Sequence, residues 1–219
     1  MYASHLPSSM RRPGAMAAGL FALLFAVTTV SAQGFDPAGK YEDVSPAQPT
    51  ETPGKVEVVD VFWYGCPHCY RFLPMMSKYE MEKPDYVEVR RMPAIFRPTW
   101  EIHARAYYTA ELLGEDDRLH EVVFDAIHKD KMRLDNREAL ITFFANHGVS
   151  KSDFEKTYDS FAVESMVRKA RVMQGRYGVR GTPTVVINGK YRTSASLAGG
   201  YDNMIRVIEA LVEMEKKTL

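Results

Sequence analysis

The apolar positions of this chain change rhythm several times, and each change marks an element. Ala15 to Val30 is an uncharged run of mostly Ala, Leu, Phe and Val behind Arg11 and Arg12, closing on Val30-Ser31-Ala32. A basic start, a short apolar stretch and small residues at its end are the layout of a signal peptide, with cleavage after Ala32. The run falls short of the roughly 20 residues that span a bilayer. Gln33 to Lys55 is rich in Pro, Gly, Thr and acidic residues and reads as a surface arm, with a short strand near Tyr41–Val44. Val56 to Tyr64 is a compact β-branched and aromatic run interrupted only by Glu57 and Asp60, which predicts a buried strand. Gly65 ends it. After Cys66-Pro67-His68-Cys69 the period becomes helical, with Tyr70, Phe72, Leu73, Met76 and Tyr79 on one face, and Pro74 is expected to kink that helix. Tyr86 to Met92 alternates as another strand.

From Pro98 to Tyr177 the pattern is helical throughout. Helices are expected from Thr99 to Leu113, from near Asp116, from Asp135 to Gly148 and from Phe161 to Tyr177. Ser152-Asp153-Phe154-Glu155 fits a capping box for a short additional helix. Strands then return at Thr184–Ile187 and Lys190–Thr193, joined by Asn188-Gly189, a strong hairpin signal. A last helix places Met204, Ile208, Leu211 and Val212 on one face.

Composition adds exclusions. The 219 residues carry 28 basic and 28 acidic side chains, and losing residues 1–32 removes only Arg11 and Arg12. A neutral to slightly acidic chain offers none of the basic excess of a nucleic-acid binder. Two cysteines are far too few for a disulfide scaffold, and neither stands near the leader's end to anchor a lipid. An exported chain meets an oxidising compartment.

Chemistry is therefore concentrated in Cys66 and Cys69. Two thiolates without a second Cys pair or a His-x3–5-His partner do not make a zinc site. A fixed bridge is open to them, but closing so short a loop restricts the unfolded chain little. A redox dithiol fits best, because Cys66 falls at the start of a helix, where free N–H groups and the positive dipole end favour thiolate. His68, between the cysteines, has a donor and a charge with which to tune that thiolate. Asp60, six residues upstream, shares a strand face with Phe62 and Tyr64 and should be buried. It suits a proton relay to Cys69 or, equally, an ion pair with Arg90 or Arg91. His103, His120, His128 and His147 lack ligand spacing and read as structural.

Trp63-Tyr64-Gly65-Cys66-Pro67-His68-Cys69-Tyr70, Val179-Arg180-Gly181-Thr182-Pro183-Thr184 and Asn188-Gly189-Lys190-Tyr191 together resemble the DsbA-type thiol:disulfide oxidoreductases of the thioredoxin superfamily. The resemblance spans essentially the whole mature chain. It implies an α/β thioredoxin fold with an inserted all-helical domain, residues 33–96 and 178–219 forming the first and 97–177 the second. It also implies a periplasmic dithiol oxidase whose active site holds Cys66, Pro67, His68 and Cys69, and in which Thr182 and a cis Pro183 bind substrate. Its substrates would be unfolded exported proteins with free cysteines, and it would be recycled by a quinone-linked membrane oxidase of the DsbB type, without metal or cofactor. Threonine at position 182, where such oxidases often carry an apolar residue, puts the oxidising strength in question. Two other readings stand beside it: a disulfide isomerase or reductase, and a binding module with a fixed bridge. Isomerases of this compartment usually carry a dimerisation domain ahead of the fold, and Gln33 to Lys55 is too short for one.

Overall fold

The computed structural model describes residues 35–218; the expected signal peptide lies outside the described residues. Five strands form one mixed sheet: β1 (Glu42–Asp43), β2 (Val56–Phe62), β3 (Val87–Pro93), β4 (Thr184–Ile187) and β5 (Tyr191–Ser194), in the order β1-β5-β4-β2-β3. β2 runs parallel to β3 and antiparallel to β4, and β4 and β5 form the hairpin expected from Asn188-Gly189. Gly189 has φ +65°, and a Cβ there would meet the Gln48 carbonyl at 2.1 Å, so the turn also receives the N-terminal arm.

Helices cover both faces of the sheet, which is why all seven residues of β2 are buried and the strand carries no polar face. On one face lie α1 (Pro67–Glu82) and α8 (Tyr201–Lys216). Val56, Val58, Phe72, Met76, Val185, Ile187, Met204, Ile208 and Leu211 pack together there. Each expected apolar position of the last helix is buried in this layer. The other face receives helices from the long segment between β3 and β4: α2 (Pro98–Leu112), α3 (Asp116–His128), α4 (Arg137–Asn146), α5 (Lys151–Tyr158) and α6 (Phe161–Arg176). α7 (Ala195–Ala198) is a single turn capped by Ser194. This is the order of elements expected of a thioredoxin fold carrying a helical insertion.

One local expectation changes. The cap of α5 is Ser150, whose hydroxyl accepts from the Asp153 N–H at 3.4 Å, so Ser152 already lies inside the helix. The Ser-x-x-acid spacing occurs at both serines, and the turn after Gly148 selects the first. Helix α1 continues from Pro67 to Glu82 through Pro74. The face it buries against the sheet outweighs the backbone hydrogen bond that proline removes.

Candidate active site

The site is built at the junction of β2 and α1. Tyr64 and Gly65 turn the chain, and Cys66, with extended backbone (φ −88°, ψ 113°), is the N-cap of α1. Pro67 opens the helix, where its missing N–H costs nothing. Cys66 Sγ then stands where a capping oxygen ordinarily would, and it accepts from the Cys69 N–H at 3.4 Å. Three residues on, the helix turns Cys69 inward. Both thiols are free; Cys66 keeps 7% of its surface and Cys69 4%.

Their acidities separate accordingly. The Cys66 thiol is brought down to about 5, first by hydrogen bonding from Cys69 and then by the Thr182 side chain and the N–H groups of Cys69 and His68, against the cost of burial. As a thiol, Cys66 Sγ donates to the Thr182 carbonyl at 3.4 Å. That contact favours the protonated form, but the donors aimed at the sulfur outweigh it. Burial, and the neighbouring Cys66 sulfur, push the Cys69 thiol far up. One sulfur is thus a stable anion and the other a reluctant one.

Asp60 is buried as expected, and burial raises its carboxyl to about 7, with Arg91 pulling it down and Glu80 pushing it up. The expected ion pair with Arg90 or Arg91 does not form. Arg90 pairs with Glu51 and Glu57, whereas Arg91, beside Asp60 in the β2–β3 register, pairs with Glu80 and Asp117. Asp60 Oδ1 has no hydrogen-bond partner.

The bond Thr182–Pro183 is cis. Thr182 and Pro183 line a groove of about 630 Å³ that His68 and Tyr201 also line. The His68 ring is exposed and turns toward this rim: its Nδ1 lies 2.7 Å from Arg71 Nη2 and 3.2 Å from the Tyr201 hydroxyl. It is the backbone of His68, not its ring, that bonds Cys66.

Sequence reasoning missed the supports under this loop. Tyr64 is buried, and three histidines of the helical segment gather on it. His120 Nδ1 lies 3.2 Å from its hydroxyl, His128 donates from Nε2 to its carbonyl at 2.7 Å, and the His103 ring meets its edge. Burial holds His103 and His120 below the usual histidine range, so both are neutral packing groups. Trp63 stacks on Trp100 with centroids 4.0 Å apart, and Gly65 makes room for it. Of the other aromatics near the site, Phe62 is core, and Tyr70 stacks on His128 while donating to Asp125.

The family model of the DSBA-like thioredoxin domain matches residues 57–211, which contain every element described from β2 into α8. The chain belongs to the DsbA family. The thiol:disulfide interchange protein DsbA of Azotobacter vinelandii is 40% identical over 205 residues, covering 93% of this chain and 96% of the relative. That of Pseudomonas aeruginosa strain UCBPP-PA14 is 41% identical over 180 residues, covering 82% and 85%. Among solved structures, P. aeruginosa DsbA superposes with a TM-score of 0.79 at 39% identity, covering 82% of this chain and 94% of its own. Xylella fastidiosa DsbA gives 0.77 at 31% identity, covering 81% and 96%. As a DsbA-family protein the chain is a thiol:disulfide oxidoreductase of the dithiol-oxidase type, and the isomerase alternative is not favoured.

Proposed function

We propose that this chain is exported to the periplasm after loss of residues 1–32 and there passes its Cys66–Cys69 disulfide to unfolded proteins with free cysteines. The observation that carries the assignment of roles is the unequal pair: Cys66 capping α1 with its thiol lowered to about 5, Cys69 buried and raised. A substrate thiolate attacks Cys66 Sγ, the Cys66–Cys69 bond breaks, and its electron pair leaves on Cys69, which takes up a proton. A second substrate thiolate then attacks the substrate sulfur of the mixed disulfide. Cys66 departs as a thiolate, and the substrate keeps the new bond. A leaving thiol of low pKa departs faster, and a stabilised thiolate makes the disulfide a stronger oxidant. Asp60, with a carboxyl near neutrality behind α1, exchanges the proton with Cys69.

Thr182 and Pro183 form the wall against which an extended substrate backbone lies. Pro67 sets the helix start, and His68 supports the thiolate through its backbone N–H rather than its ring. Residues 33–96 and 178–219 carry the redox centre, and 97–177 form the helical domain that covers it. The reduced enzyme is reoxidised by a quinone-linked membrane oxidase of the DsbB type.

A redox titration of the mature protein against glutathione tests this. A strongly oxidising potential is expected, and His68→Leu, which keeps the backbone N–H that bonds Cys66, should stay close to it. A wild-type value near the roughly −270 mV of thioredoxin would make the protein a reductase. Turnover of Asp60→Asn at the wild-type rate across pH would remove the relay.

A further inference from the structure

The groove beside Pro183 carries charge that disulfide exchange does not require. Its charged lining consists of Glu42, Arg180 and Arg192, besides His68. Glu42 and Arg192 neutralise one another at 2.5 Å, and Arg192 also donates to the Tyr177 carbonyl at 2.9 Å, so both are committed. Arg180 is exposed and has no carboxylate partner among the described residues. Behind His68, Arg71, also exposed and without a carboxylate partner among the described residues, holds the His68 Nδ1 at 2.7 Å. The nearest acid in sequence on that side, Asp202, lines a separate groove between α1 and α8. Arg180 thus lines the groove beside Thr182 and Pro183, and Arg71 stands behind its His68 side, on a chain with no overall excess of basic residues, so the positive field is local.

We propose that this groove favours protein thiols with an acidic side chain beside the reacting cysteine, with Arg180 reading that carboxylate from the Pro183 wall and Arg71 adding to the field from the His68 side. The proposal rests on the dithiol-oxidase reading and names the substrate class of that site. A guanidinium offers a planar pair of donors that matches a carboxylate. Charge of one sign around an entrance also raises the encounter rate of the opposite sign. Exposed pairs are individually weak, so the effect is a few-fold per arginine and is screened by salt.

The test uses the oxidised mature protein and three peptides, each with two cysteines and identical except for Glu, Gln or Lys two residues after the first. Trp63 and Trp100, the only tryptophans of the chain, report reduction of the disulfide in stopped flow. Each rate is divided by the same peptide's rate with a neutral small-molecule disulfide, because a neighbouring charge also changes the peptide's own thiol acidity. At low salt the Glu peptide should react about tenfold faster than the Lys peptide, and the ratio should fall toward one at about 0.5 M salt. Arg180→Glu should invert the order, and Arg71→Gln should shrink the ratio about two- to threefold. Equal normalised rates for Glu and Lys in the wild type, a ratio indifferent to salt, or the wild-type order in a folded Arg180→Glu protein would each overturn the proposal. Failure to oxidise any peptide, the Gln peptide included, would instead sink the oxidase reading, and the charge preference with it.

Discussion

Threonine 182 allows the link between thiolate support and oxidising strength to be measured at a single atom. Thr182→Val keeps the β-branched shape and the backbone carbonyl but removes the hydroxyl, one of the groups that lower the Cys66 thiol. A hydrogen bond to a charged group contributes about 1.5–3 kcal/mol. The lower end applies at the wall of an open groove, so about 1.5 kcal/mol is lost from the thiolate. One pKa unit corresponds to 1.36 kcal/mol, so the midpoint should move from about 5 toward about 6. Only the reduced protein holds this thiolate. Its loss therefore destabilises the reduced state alone, and the potential falls by about 30 mV, making a weaker oxidant. Thiolate absorbance against pH gives the midpoint, and glutathione equilibrium followed by tryptophan fluorescence gives the potential. If neither moves in the folded variant, the Cys69 contact and the helix N–H groups suffice, and the role assigned to Thr182 is wrong.

Asp60→Asn should stabilise the fold, more so in base. Because the folded carboxyl is raised to about 7 from an ordinary 3.8, ionising it costs nothing well below pH 4, and the cost grows up to pH 7 and then levels at about 4 kcal/mol. Denaturant unfolding should therefore show a larger gain at pH 8 than at pH 5, and a loss at pH 8 would contradict the burial argument. For Cys66 the sign is opposite: a depressed folded pKa stabilises the reduced form fully above about pH 9, and the gain is lost as pH falls through 5. The melting temperature of the reduced protein should accordingly gain on that of the oxidised protein as pH rises from about 5 to about 8, below the range where the raised Cys69 thiol works the other way, and a pH-independent difference there would refute this. Gly65→Ala places a Cβ 2.4 Å from Trp63 Cζ2, so Trp63 must leave its stack on Trp100. The expected cost is about 1–3 kcal/mol with a change in tryptophan emission, and a wild-type melt and spectrum would show that the ring yields without cost.

What the sequence made legible was local. Gly65 before Cys66 and proline after it announce a strand end and a helix start, and Cys66 caps α1 accordingly. Asn188-Gly189 announces a hairpin, and β4 and β5 form it. Asp60 in an apolar strand announces a buried acid. The supports were not legible, because they come from far along the chain: Tyr201 is 133 residues from His68, and His120 is 56 from Tyr64. Periodicity shows that a histidine is buried, not what it meets. His103, His120 and His128 read correctly as structural, yet their convergence on Tyr64 appears only once α2 and α3 are folded over the site. α7, one turn long, has no period to detect.

The inequality of the two cysteines follows from one spacing. A residue at the N-cap is within reach of the N–H three positions on, and the residue owning that N–H lies one turn into the helix, on the side that faces the sheet. Cys66 and Cys69 hold those two positions. The contact that caps the helix with a sulfur anion is thus made by the backbone of the very residue that the helix buries. Once the sulfurs join, Cys66 is no longer an anion, and the first turn of α1 loses its charged acceptor. The fold itself therefore favours the reduced pair, which is what a protein must do if it is to give its disulfide away.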